Sequence, residues 1–168
     1  MIVVPEAESV ISAFRDRYAV RSAASRIPAH VTLLVPYVPA EHLDSAAIEA
    51  ARQLFGHFAP FDAELVGVGR FAEHVWLAPS PAEVFAELIR ATCRRFPESP
   101  YGAEFPDPVP HLTVGEASVD VSVEEIVRAA EREIVPRLPV RFRVSAATLL
   151  VEQVGGTWLR DADFGFGA

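Results

Sequence analysis

Lysine is missing from this chain altogether, so all 15 basic residues are arginine. Chemistry that runs through a lysine amine is thereby excluded, including a covalent lysyl-nucleotide intermediate, a Walker-type phosphate loop and a Schiff base. Cysteine is nearly absent too. With Cys93 alone, neither an internal disulfide nor a cysteine-based metal cluster can form. Its setting in Ile89-Arg90-Ala91-Thr92-Cys93 reads as a buried structural thiol on a helix rather than a nucleophile. Positive charge is in deficit, and the formal net charge of −8 argues against wrapping long nucleic acid, whose binders carry a basic footprint. A small anionic ligand held by a few local donors stays compatible with that balance. No apolar run approaches the length of a membrane span, and the start Met1-Ile2-Val3-Val4-Pro5-Glu6 lacks the basic and long apolar regions of a signal peptide. The expectation is a cytoplasmic protein with no membrane partner.

What is present suits a soluble globular chain: 168 residues, 51% hydrophobic and 23% charged, enough for a core within one domain, 1–168, made of two lobes. Ile2-Val3-Val4 is a short β-branched run, and Pro5-Glu6 opens a helical pattern on Val10, Ile11, Phe14 and Tyr18. A loop from Arg21 to Pro28 leads to His30. A second helix is expected from Ala40 to about Phe58, then a hairpin of Phe61 to Val68 with His74 to Leu77, bent at Gly69-Arg70-Phe71. Ser80 and Pro81 read as cap and first residue of a third helix that ends near Phe96-Pro97. A fourth helix begins at Ser122, with Glu125 completing a capping box, and runs to about Val135. Two last strands, Val140 to Gln153 and Thr157 to Phe164, join at Gly155-Gly156.

Within this order one shape recurs. Pro28-Ala29-His30-Val31-Thr32-Leu33 and Val109-Pro110-His111-Leu112-Thr113-Val114 each read as a strand with a His and a Thr two positions apart. Successive strand side chains alternate faces, so His30 stands with Thr32, and His111 with Thr113, opposite an apolar side fit for a core. The two histidines are 111 − 30 = 81 positions apart, about half the chain, and each is followed at similar distance by another strand, at Phe61 and Val140. A fourfold strand-and-helix alternation is also compatible with a doubly wound parallel sheet, but the hairpins and the repeat favour an α+β, bilobal, duplicated fold. Two antiparallel sheets would face a central cleft, with helices on the outer faces.

A cleft with two imidazoles and two hydroxyls suits phosphodiester chemistry. One neutral histidine activates water or a ribose hydroxyl while a protonated one supplies the departing oxygen, and the threonines donate hydrogen bonds to the phosphate. The scheme needs no cofactor and no metal. The paired motifs, together with Val68-Gly69-Arg70-Phe71 through Trp76-Leu77 to Phe96-Pro97, resemble the 2H phosphoesterases, the group of 2′,5′ RNA ligase-like proteins and cyclic phosphodiesterases named for two His-x-Thr/Ser motifs. That resemblance covers nearly the whole chain. It implies a bilobal α+β fold, metal-independent action on 2′,3′-cyclic or 2′,5′-linked phosphates, and His30, Thr32, His111 and Thr113 as the catalytic set. It leaves open which histidine is base and which is acid. Together with the acidic charge balance it points to small nucleotides or RNA ends as the substrate partner, and a monomer is the favoured state.

Three further residues are candidates for substrate binding: Arg26 in the loop before the first motif, Tyr101 in the loop before the second, and Trp76, whose ring suits stacking on a base. Trp76 shares a strand face with His74, and alternation alone leaves cleft and core equally open for that face. His42, His57 and His74 read as surface residues, and Arg94-Arg95 as cations complementing a helix C-terminus. Glu116 is the carboxylate nearest a motif in sequence, and its odd offset from His111 points it away, which weakens a rival reading with a divalent metal between the histidines. The other rival is a non-catalytic nucleotide or RNA-end binding module with the same cleft.

Overall fold

A computed structural model describes residues 1–37, 43–97 and 107–167. In chain order its elements are Ile2–Val3 (β1), Pro5–Tyr18 (α1), Val20–Ala24 (α2), His30–Val31 (β2), Ser45–Phe55 (α3), Phe61–Arg70 (β3), His74–Ser80 (β4), Ala82–Arg95 (α4), Leu112–Glu116 (β5), Val123–Glu133 (α5), a 3₁₀ turn Val135–Arg137, Val140–Val144 (β6), Ala146–Glu152 (β7) and Trp158–Gly165 (β8). All strand pairings among them are antiparallel.

The strands build two layers. One is a four-stranded sheet in the order β5-β4-β3-β6. The other joins β1-β2 to the β7-β8 hairpin, since Met1 and Thr148 exchange backbone hydrogen bonds of 2.9 and 2.8 Å. The two halves of the chain are interleaved: β5, from the second half, pairs with β4 of the first, while β1, from the first, bonds to β7 of the second. β3 and β6 also pair, Phe61 opposite Val144 and Leu65 opposite Val140.

Several local expectations differ from the structure, each for a physical reason. The expected single strand from Val140 to Gln153 is two strands broken at Ser145, so that β6 completes one sheet and β7 the other. Part of the loop after Arg21 is the helical turn α2, which follows α1 with only Ala19 between them. The second helix starts at Ser45, where Asp44 accepts the Ala47 amide at 2.9 Å, and stops at Phe55 before Gly56, short of Phe58. Ser80 stays in β4, pairing with Glu64, and Pro81 takes the N-cap position of α4, leaving Ser80 no capping role. The capping box of Ser122 and Glu125 forms as its sequence predicts, with bonds of 2.8 and 3.3 Å.

One core runs through both layers, from Ile2, Val4 and Ile11 through Leu65, Leu77 and Leu112 to Ile126, Phe142 and Phe164. On the four-stranded sheet α1 and α5 pack against β5, and α4 sets Phe85 against Phe61 at 5.3 Å and Phe142 at 6.3 Å. Among the described residues no helix is long and apolar enough to cross a membrane. Helix and sheet approach closely at Gly115, where a Cβ would stand 2.5 Å from Ile126 Cγ2 and 3.3 Å from Tyr18 Cβ. Gly115→Ala therefore overpacks this contact and is expected to cost about 1–3 kcal/mol in urea unfolding, whereas Gly67→Ala, with open space around it, serves as the neutral control.

Candidate active site

Both motifs keep strand alternation. Ala29, Val31 and Leu33 are buried while His30 and Thr32 are half-buried; Pro110, Leu112 and Val114 are buried while His111 and Thr113 are half-buried. The strands are short. β2 ends at Val31, so Thr32 lies just beyond it, and His111 lies just before β5. β2 packs against β5, and each motif turns its apolar side to the core.

The same short hydrogen bond orients each imidazole. His30 Nδ1 lies 2.7 Å from the carbonyl of Pro28, and His111 Nδ1 lies 2.8 Å from the carbonyl of Val109, two residues back in both cases. A carbonyl only accepts, so Nδ1 carries the proton in both rings. The free nitrogen is then Nε2, a lone pair on the neutral ring and an N–H donor on the protonated one. The hydroxyls of Thr32 and Thr113 make no hydrogen bond to another described residue, and each remains a donor for a ligand.

The surroundings of the two histidines differ. Burial lowers the His30 pKa from 6.5 to about 4; the bond to Pro28 opposes the shift, while the Met1 amino group, then Arg15 and His111, reinforce it. His111 is lowered from 6.5 as well, chiefly by burial, with its Val109 bond opposing and His74 adding to the effect. Aromatic rings flank His111: Phe71 meets it edge-on at 5.0 Å, Trp76 stands 6.2 Å away, and those two rings are 5.3 Å apart. Trp76 pairs across the strands with Thr113 and Gly69, and a Cβ on Gly69 would stand 2.3 Å from the indole. Glycine at 69 thus lets the ring lie flat against the sheet. The alternative left open for Trp76 resolves to the motif face, next to His111.

Among the other candidates, Arg26 is exposed, with a left-handed φ of 57°. It lines a cavity of about 320 Å³ with Glu8, Ser12, Arg15 and Asp16, not with the two imidazoles. Tyr101 and His42 lie outside the described residues. His57 is exposed and bonds the Gln53 carbonyl at 2.6 Å, Arg94 pairs with Glu87 at 2.6 Å, and burial raises the Cys93 thiol pKa. The larger cavity, about 510 Å³, lies beyond the first motif between Leu33, Phe55, Leu149 and Trp158, and none of the four motif residues lines it.

Glu116 does not point away. A bulge where β5 passes β4 buries both Val114 and Gly115, and alternation resumes one residue out of phase. Glu116 consequently lies opposite His74, on the face of Trp76 and Thr113, and is taken up by Arg21 at 3.1 Å and Ser22 at 3.2 Å. No group of three or more His, Cys, Asp or Glu side chains suited to a metal occurs among the described residues. Phe71 and Arg15 escaped the sequence reading. Phe71 was visible as a hairpin bend within the family-like segment but not as a neighbour of His111, and a buried arginine on a regular helix leaves no periodic signal.

The sequence model of the 2′-5′ RNA ligase superfamily matches residues 3–156. The crystal structure of TT0787 of Thermus thermophilus shares the fold, with a TM-score of 0.56 over 98% of this chain and 94% of that one at 19% identity. Among curated proteins none matches the sequence.

The site geometry predicts how the histidines titrate. In an NMR titration His30 is expected to change protonation near pH 4, with nitrogen shifts reporting Nδ1–H neutral rings for both His30 and His111. Because the unfolded chain takes up the His30 proton first, at an ordinary value of about 6.5, its contribution makes the fold less stable as pH falls from 6.5 to about 4. Urea midpoints across that interval check the sign.

Proposed function

The chain belongs to the 2′-5′ RNA ligase superfamily, and from that premise we propose that it is a metal-independent phosphoesterase acting on 2′,3′-cyclic or 2′,5′-linked phosphodiesters of small nucleotides or RNA ends. The observation that carries this reading is the matched pair of Nδ1–H bonds, to Pro28 and to Val109, which leave two Nε2 atoms as the free proton-transfer groups of adjoining strands. Acid–base catalysis of phosphodiester cleavage requires two such groups in one turnover.

The unequal surroundings favour an assignment. His30, the ring held at about 4, is the base: it is neutral at physiological pH and takes a proton from water as that oxygen attacks phosphorus. His111 is the acid, giving its Nε2 proton to the ribose oxygen whose bond to phosphorus breaks. Burial disfavours a proton on His111 in the free protein, and the negative charge of a bound phosphodiester offsets that penalty, so acid and substrate arrive as a pair. Thr32 and Thr113 donate to the non-bridging oxygens, where charge grows in the transition state. Trp76 and Phe71 beside His111 offer ring faces and edges to a base or ribose on the leaving side. Without lysine, any sealing by this protein runs as the reverse of cleavage rather than through an activated nucleotide. We place the reaction in the cytoplasm, where a lone thiol such as Cys93 stays reduced.

Incubation with 2′,3′-cyclic nucleotides, a 2′,5′-dinucleotide and an ADP-ribose cyclic phosphate, with and without chelator, tests the reading. Turnover unaffected by chelator is expected, and His30→Ala or His111→Ala should each lower kcat by about 10²–10⁴. Tight binding without turnover across that panel makes the protein a binding module instead; loss of activity in chelator points to a metal. The pH profile separates the roles. As free-protein values govern kcat/KM, its acid limb is expected near pH 4 from His30 and its alkaline limb below 6.5 from His111, while kcat, with phosphate bound, holds to higher pH.

A further inference from the structure

The backbone that delivers His30 to the cleft is held group by group. The Ile27 carbonyl accepts Arg15 Nη2 at 2.8 Å, the Pro28 carbonyl accepts His30 Nδ1 at 2.7 Å, the Ala29 amide donates to Glu8 Oε1 at 2.6 Å, and the Ala29 carbonyl accepts the Val4 amide at 2.8 Å. Two of these four anchors are charged side chains of α1, and Glu8 Oε1 is also 3.7 Å from Arg15 Nη1. No charged side chain holds the backbone of 107–110 before His111 in the same way among the described residues. The device belongs to one motif only.

Arg15 is an expensive choice for a merely structural strut. It is 6% exposed and its Nε has no hydrogen-bond partner, so a full charge is desolvated for one carbonyl bond and a long ion pair. An apolar residue on this face of α1 would fill the space without that penalty.

We propose that Arg15, with Glu8, is a positioning residue for His30: together they lock residues 27–29 so that the Pro28 carbonyl fixes the imidazole. The inference deepens the acid–base reading above and rests on it for its catalytic part. The titratable and charged groups that act on His30 are the Met1 amino group at β1, Arg15 from α1 and His111 from the second motif, and burial lowers the amino group to about 5 and His111 below its ordinary value, while Glu8 is held by Arg15 and the Ala29 amide. Loss of the Arg15 cation removes one influence that holds the His30 proton off.

The test uses the full chain carrying Arg15→Met, which keeps the volume, and Arg15→Lys, which keeps the charge but not the planar fork. Four quantities are read: the His30 titration by NMR, the urea midpoint, and kcat and KM on a cyclic phosphate. In Arg15→Met, kcat is expected to fall about 10–100-fold with KM little changed, and the His30 titration to move up from about 4 while burial, the larger cause, still holds it below 6.5, the acid limb of kcat/KM moving with it. Arg15→Lys should restore the low titration and only part of kcat. A folded Arg15→Met protein with wild-type titration and kcat overturns the inference, as does a Lys variant whose titration moves as far as that of Met. If Arg15→Met does not fold, Glu8→Leu, which removes the acceptor of the Ala29 amide, takes its place: reduced kcat at a near-native urea midpoint supports positioning, and unchanged kcat overturns it. The two readings fail separately. A wild-type protein that turns over no substrate, yet whose His30 titration responds to Arg15, loses the phosphoesterase reading and keeps the positioning; turnover with an unresponsive titration does the reverse.

Discussion

Each histidine of this protein's two motifs is tied to its own chain two residues back, and the arrangement of the site follows from that bond. The geometry requires a residue with an extended backbone, a carbonyl turned toward the ring, and burial of the residues on either side. Ala29 and Val31 supply that burial for His30, and Pro110 and Leu112 supply it for His111. With Nδ1 occupied, the imidazole has one free nitrogen and little rotational choice. The polar side of a strand that would otherwise be solvated surface becomes a place where a proton has a defined position.

Bringing two such strands together is a matter of topology. Neither half of the chain owns a complete sheet: β4 from the first half borders the second motif, and β7 from the second borders β1, which pairs with the first. The break at Ser145 allows this, because it lets one extended segment serve both layers. A substitution that loosens one half therefore reaches the other half's motif through a strand pairing.

The repeat is faithful in pattern and unequal in setting. An arginine and a glutamate from α1 brace the chain before His30, while rings from the β3–β4 hairpin surround His111. Two identical imidazoles would share one proton affinity and compete for one role. Burial lowers both, and the N-terminal amino group and Arg15 act on His30 where His74 acts on His111, so the two settings are not the same.

The local half of this arrangement was legible from the residues alone. Alternation in Pro28 to Leu33 and Pro110 to Val114 set which side chains share a face, Ser122 and Glu125 set a helix start, and the absence of lysine set which chemistries are impossible. Each is a property of the chain itself and holds without knowledge of the fold. Whatever depends on distant partners came from the packing of one element on another. Packing turned Trp76 toward the motifs, because Gly69 on the adjacent strand leaves room for the ring, and it returned Glu116 to the motif face, because a bulge shifted the alternation. It placed Arg26 in a cavity beside α1 and buried Arg15 against the Ile27 carbonyl, three residues before His30. Periodicity records which face a residue occupies only while a strand stays regular, and it carries no information about what another element brings against that face.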